Sequence, residues 1–234
     1  MRFKTAAAFL LIFIAGTVMA ADKPTMAVAE FRNETSAGWW YGGVGRDLAG
    51  MLTNELAGTG KFKMVEREKL AAVLDEQDLA DSGRVNKKTG AKIGKLTGAQ
   101  YLVVATLSAF EENTAGTGGG VSFRGISLGG KKEDAYMAVD LRVIDTTTGD
   151  VEFTRTVEAR ASSGGLNVGL YRGGFGGNLG KYSKTPTGKA IRAVIMEISE
   201  YLSCAMVDQG GCMDEYNAKE GARREKTKKA IKLD

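Results

Sequence analysis

The 234-residue sequence has no histidine, 2 prolines and 2 cysteines. Without histidine there is no Ser-His-Asp triad, no Cys-His dyad and no His-ligated metal, and the H-E-x-x-H proteases are excluded with them. Charge of one sign is not in excess, since 32 Lys+Arg against 28 Asp+Glu leave a formal net charge of +4. Long apolar runs are missing as well. The run from Ala6 to Ala15 is about ten residues, half of the roughly 20 that a spanning helix needs. The composition is otherwise that of a folded protein, with 43% hydrophobic and 26% charged residues, and it fits neither disorder nor a bundle of membrane helices.

Glycine is what the chain has in abundance. Of its 32 glycines, 15 fall in two short windows, one from Ala115 to Gly130 and one from Gly164 to Gly180. The N-terminus reads as a secretory signal peptide over 1–20, with basic Arg2 and Lys4, the apolar run, and small residues before a cut after Ala20. No cysteine follows that cut, so no lipid anchor is expected. Loss of Arg2 and Lys4 takes the formal charge of the mature chain to +2. The remaining excess is local: Arg223, Arg224, Lys226, Lys228, Lys229 and Lys232 crowd the basic C-terminal tail, 213–234. That run reads as solvated charge, not as a nucleic-acid patch. Cys204 and Cys212 both reach an oxidising compartment, where a disulfide and two unpaired small side chains are both open readings.

Strand and helix patterns alternate through the first half. Thr25–Phe31 reads as a strand, Val44 to Leu56 as a helix, Phe62–Val65 as a strand and Arg67–Leu79 as a helix with Leu70, Val73 and Leu74 on one face. Thr89–Leu96 reads as a shorter helix and Tyr101–Phe110 as a strand. This is an α/β layer pattern. Beyond it, Met137, Val139, Leu141 and Val143 alternate with polar residues. Thr146–Asp150 is a turn, and Val151, Phe153, Val157 and Ala159 continue the period of two, so the pair forms a long hairpin. Thr185 and Pro186 open a last helix whose core stripe is Ile191, Val194, Ile195, Ile198 and Leu202. About 214 mature residues with one layer pattern predict a single domain over 21–212 with two insertions, about 107–136 and 157–184.

The glycine windows are those insertions. In the first, Val121 and Phe123 alternate with polar residues, the phase slips, and Ile126 and Leu128 continue on the other parity, which predicts a bulge at Gly125. In the second, Leu166, Val168 and Leu170 precede a glycine turn, and Phe175 and Leu179 follow it. Flexible surface loops are the plain reading. The other is a pair of β-hairpins that extend the flanking strands into a membrane barrel shared between subunits, which needs about 9–11 alternating residues per strand. Catalysis finds little support. Gly125–Gly130 with Lys131 resembles a phosphate loop but has Lys132 where Ser or Thr should sit, and it lies between strand residues. Glu66, Glu68, Asp75, Glu76 and Asp78 lie on or beside an exposed helix face. No enzyme and no cofactor is expected.

The runs Val28–Glu34, Gly45–Ala49, Met51–Leu56, Phe62–Arg67, Leu74–Gln77, Gly98–Val103 and Val139–Asp145 with Thr148-Gly149 resemble, in order and spacing, the CsgG family, whose best-known member is the curli secretion channel. The resemblance covers nearly the whole mature chain. It implies a periplasmic α/β domain that assembles into a homo-oligomeric ring, with two hairpins per subunit in one outer-membrane barrel. Those hairpins fall on the glycine windows. The implied partners are a secreted polypeptide and a periplasmic capping factor. The loop after the first strand would narrow the pore, which makes Trp39, Trp40 and Tyr41 candidates for a constriction; packing against a helix or a neighbouring subunit is the alternative. Two departures stand out. Curli channels are lipoproteins, which this chain does not match, and its loop is shorter and lacks the family's Asn-Phe pair. The expected function is therefore an export channel for unfolded polypeptide, with a soluble periplasmic accessory or regulatory protein of envelope or cell-wall assembly as the alternative.

Overall fold

The computed structural model describes residues 22–116, 121–123, 126–128, 131–163 and 184–230, with the backbone alone at 113–116, 121–123, 126–128 and 131–132. The elements in chain order are β1 (Thr25–Val28), β2 (Arg32–Asn33), α1 (Val44–Thr59), β3 (Lys63–Met64), α2 (Leu70–Asp81), β4 (Tyr101–Gly116), β5 (Val121–Phe123), β6 (Ile126–Leu128), β7 (Lys131–Asp145), β8 (Val151–Ser162), α3 (Pro186–Ser203) and α4 (Gly211–Ala230), with a π-helical turn, Cys204–Asp208, between the last two helices. The fold is mixed α/β. One six-stranded sheet runs β3-β1-β4-β7-β8, with β2 beside β4 beyond the end of β1. β1 is parallel to both β3 and β4, whereas β4-β7-β8 is an antiparallel meander.

The core lies between one face of this sheet and helices α1 and α3. β1 is buried along its whole length, as expected of a strand enclosed on both sides. Val139, Leu141 and Val143 of β7 and Val103, Ala105 and Leu107 of β4 face Leu52 and Leu56 of α1 and Ile191, Ile195, Ile198 and Leu202 of α3. Thr185 caps α3 by accepting a hydrogen bond from the Gly188 amide at 3.1 Å, and Pro186 opens the helix. The tip joining β7 to β8 is held by the Asp145 carboxylate, which accepts from the amides of Thr147 and Thr148 at 2.7 and 3.1 Å. These bonds stabilise the charged form and hold its pKa below the usual carboxylate value.

Several sequence expectations change. The strand expected over Thr25–Phe31 stops at Val28, because the chain swerves to meet α1: Phe31 donates to Gly45 O at 3.1 Å, and pairing with β4 resumes only at Arg32. A Cβ on Gly45 would sit 2.4 Å from Phe31 O, so glycine is what allows the approach. Thr89–Leu96 forms no helix but a run of turns, with Gly94 at φ +72. In α2 the apolar stripe is not sunk in the core. Val73 and Leu74 are 37% and 42% exposed, and Gln77 is the helix's one buried residue. The C-terminal segment is helical from Gly211 and packs on the body, although its last turns are exposed as solvated charge.

The bulge expected at Gly125 lies outside the described residues. β5 pairs antiparallel with β6, Val121 opposite Leu128 and Phe123 opposite Ile126. Directly opposed residues share a face, so the register puts all four apolar positions on one face. A bulge sits lower, at Ser108, between Leu107 and Ala109 of β4. It flips the core parity from Val103, Ala105 and Leu107 to Phe110 and Glu112.

Candidate functional site

Two features were expected to carry function, the aromatic loop between β2 and α1 and the upward extension of the hairpins. The loop is held by local bonds. Asn33 Oδ1 accepts from the Thr35 amide and hydroxyl at 2.8 and 2.7 Å, Thr35 Oγ1 accepts from the Ala37 amide at 3.2 Å, and the Trp40 amide donates to Ala37 O at 3.0 Å. Gly43, at φ 94, turns the chain into α1.

Within this loop the three aromatics separate. Trp39 is 3% exposed and meets Phe110 edge-on with ring centroids 5.6 Å apart. It belongs to the core of its own chain, which is the packing alternative and takes it out of a constriction lining. Trp40 stacks at 5.5 Å against Trp39, tilted by 54°; it and Tyr41 are half-buried at the edge of the core. Phe110, the floor beneath Trp39, was missed in the sequence. The Ser108 bulge hides it, because strict alternation from Leu107 would turn Phe110 outward.

The hairpin extension is a continuous ladder. β4 and β7 remain paired from Tyr101–Asp145 to Gly116–Lys131, and β8 follows β7 up to the pair Asp134–Ser162. The base of this extension is tied to the N-terminus of α3. Thr187 Oγ1 donates to Glu112 Oε1 at 2.8 Å, and Lys189 Nζ donates to Ser162 O at 3.2 Å. On the sheet's other face, Arg160 lies over the Tyr136 ring at 4.8 Å, beside an open cleft of about 260 Å³ that Glu111, Asp134 and Ser162 also line. Burial there raises the Tyr136 pKa. Above the bulge, from Ala109 to Gly116, β4 pairs with β7 alone, and β8 is the last strand of the sheet. The extension is thus three strands wide with both outer edges unpaired among the described residues. Leu166, Val168, Leu170, Phe175 and Leu179, expected to form the second hairpin, lie outside the described residues.

A further cluster fixes the C-terminal helix. The Arg155 guanidinium lies against the paired rings of Tyr201 and Tyr216, 4.9 and 4.7 Å from their centroids, and donates through both Nη atoms to Tyr216 O at 3.3 Å. Burial pushes the Tyr216 hydroxyl up to about 12. Cys204 and Cys212 are joined, S–S 1.97 Å, across the π-helical turn. The acidic residues near α2 have local roles: Glu66 Oε1 accepts from the amides of Glu68 and Lys69 at 2.7 and 3.2 Å, at the start of the helix. Glu68 lies 4.0 Å from Arg46, and desolvation together with the Glu30 charge raises its pKa.

Comparison with known proteins gives consistent findings. The chain is 24% identical over 133 residues to the curli production assembly/transport component CsgG of Salmonella typhimurium (strain LT2) and to that of Salmonella typhi, an alignment covering 55% of this chain and 48% of theirs. It therefore spans about half the length of these curated relatives. Among solved structures, it resembles the hypothetical protein CT253 from Chlamydia trachomatis, with a TM-score of 0.45 and 16% identity, covering 77% of this chain and 96% of that one. It also resembles a PelC dodecamer from Paraburkholderia phytofirmans, with a TM-score of 0.38 and 15% identity, covering 77% and 87%. Residues 12–231 match the family described as curli production assembly/transport component CsgG, and on that match the chain belongs to the CsgG family.

Proposed function

We propose that this protein is one subunit of an oligomeric outer-membrane channel that exports unfolded polypeptide, and that it carries out no chemical step. The observation that carries this reading is a ladder that outlasts its core. β4 and β7 stay paired from Asn113–Asp134 to Gly116–Lys131, beyond the rung where Thr187 of α3 meets Glu112. Continued to Phe123 at about 3.3 Å per residue, β4 would rise about 36 Å above that rung. A two- or three-stranded ribbon of that length, with open edges and little core, is not stable on its own. Closing it with copies of itself removes the edges and satisfies every backbone group in lipid. In this arrangement the open edge of β4 meets the next subunit.

Self-association has a second support. Val73, Leu74, Leu79, Ile93 and Leu96 are exposed on the arm formed by α2 and the turns after it. A helix of 12 residues is marginal in isolation, so a neighbouring copy is the natural cover. At the neck, Trp40 and Tyr41 face the channel while Trp39 anchors the loop from behind. Electron microscopy of detergent-extracted outer membranes tests the proposal. It should show ring-shaped oligomers; monomers found only in the soluble periplasm would replace the channel with an accessory protein.

A further inference from the structure

α4 changes character along its length. Up to Glu220 its charges are mixed and largely matched: Lys219 meets Glu215 at 3.0 Å and Glu197 at 3.9 Å, and Glu220 holds Arg223 and Arg224 at 2.8 and 2.7 Å. From Arg223 to Lys229 the sequence has five bases and one acid, Glu225. Glu225 reaches Lys228 at 3.1 Å, and the side chains from Arg224 to Ala230 are exposed.

The height of this basic end can be read from two neighbours. Along β8, Arg155 meets Tyr216 and Glu158 meets Arg223 at 3.9 Å. Three strand residues and seven helix residues both rise about 10 Å, so α4 climbs beside β8 in the same direction. The remaining seven residues bring Ala230 level with about residue 161. Along α3 the helices run antiparallel, Tyr201 beside Tyr216 and Glu197 beside Lys219, which brings Ala230 level with the first turn of α3. The two rulers agree, because Lys189 of that turn bonds to Ser162 O. The basic end of α4 therefore arrives at the root of both hairpins.

Two further bases lie three to four rungs, about 10–13 Å, higher. Lys131 and Lys132 pair with Gly116 and Ala115 where the first hairpin leaves the sheet, and Lys184 follows the second window. The chain has no acidic residue from Asn113 to Lys132 or from Ala159 to Lys189. The acids nearby lie below Lys131 and Lys132: Glu133 and Asp134 on the next rungs down, and Glu111 and Glu112 level with the end of α4, where Glu112 is taken up by Thr187.

We propose that the last two turns of α4, with Lys184, form a basic belt that binds the phosphate headgroups of anionic phospholipid in the leaflet facing the periplasm. The proposal rests on the channel reading for where the membrane lies. Polybasic segments beside a membrane gain roughly 1 kcal/mol per base from anionic lipid, and the gain is lost beyond a Debye length.

The test is partitioning of the full-length chain onto vesicles of neutral phosphatidylcholine, with and without phosphatidylglycerol. The wild type should favour the anionic vesicles. Lys226→Gln with Lys228→Gln and Lys229→Gln should lower that partitioning about a hundredfold, and the three Lys→Arg changes should keep it. Equal binding to both vesicles, a triple Gln variant that binds as the wild type does, or inorganic phosphate competing far better than chloride at equal ionic strength would each overturn the belt. Planar-bilayer conductance separates the two ideas. Conductance that is indifferent to anionic lipid keeps the channel and removes the belt, whereas anionic-lipid binding without conductance keeps the belt and removes the channel.

Discussion

Replacing Trp39 with alanine separates an anchor from a pore lining. The indole is 3% exposed and contacts Phe110 and Trp40. Removing a buried tryptophan costs about 3–5 kcal/mol through lost transfer energy and the cavity left behind. The edge-on contact with Phe110 supplies about 0.5–1.5 kcal/mol of that beyond burial. With a urea slope of about 2 kcal/mol/M, the unfolding midpoint should fall by about 2 M. Trp40→Ala, at a half-buried site, should lower it by much less. A double-mutant cycle between Trp39→Ala and Phe110→Ala should return a coupling of about 0.5–1.5 kcal/mol. A Trp39→Ala loss below about 1 kcal/mol, or a coupling near zero, would refute the anchoring role and return Trp39 to the pore candidates.

Further outcomes follow from the same geometry. Trp40→Ala with Tyr41→Ala should raise single-channel conductance in planar bilayers with little change in the unfolding midpoint; unchanged conductance makes both residues packing groups. Reducing the Cys204–Cys212 bond, whose partners are 8 residues apart, should lower stability by about 2.5 kcal/mol on a loop-closure estimate, read from melts with and without reductant. Arg223 and Arg224 hold the Glu220 carboxyl down to about 2. A depressed carboxylate contributes stability above its unfolded value, near 4.5, and loses it as the pH falls through the folded one. α4 should thus loosen in hydrogen exchange between about pH 4.5 and 2, by no more than about 1 kcal/mol for so exposed a cluster. Arg223→Ala should weaken that pH dependence. Arg155→Leu should free α4, since it removes both donors to Tyr216 O, and faster exchange should be confined to residues 211–230.

What could be read in the sequence and what could not divide on physical grounds. The α3 stripe from Ile191 to Leu202 and the alternation of β7 were legible because one face of each meets the core, so periodicity and burial coincide. The Thr185-Pro186 start was legible because capping is local chemistry. The Ser108 bulge was not, since a one-residue insertion leaves no mark in composition, and it carried Phe110 to the wrong face. Leu70, Val73 and Leu74 have the spacing of a core helix, but periodicity says only that a face is apolar, not what covers it. Trp39 and Trp40 are identical residues one position apart, and only the fold of the loop decides which of them is swallowed. The contact of Arg155 with Tyr201 and Tyr216 joins residues 61 apart along the chain, a distance at which no local pattern operates.

The channel proposal stands or falls on where the tip of the first hairpin lies. Single cysteines at Val121, Ser122, Phe123, Ile126, Ser127 and Leu128 can carry an environment-sensitive fluorophore, because the native cysteines are paired with each other. In reconstituted vesicles, labels at Val121, Phe123, Ile126 and Leu128 should be quenched by lipid-borne nitroxide, and labels at Ser122 and Ser127 by aqueous iodide. Uniform iodide quenching at all six positions, with none from lipid, would contradict a membrane barrel and leave a soluble periplasmic protein.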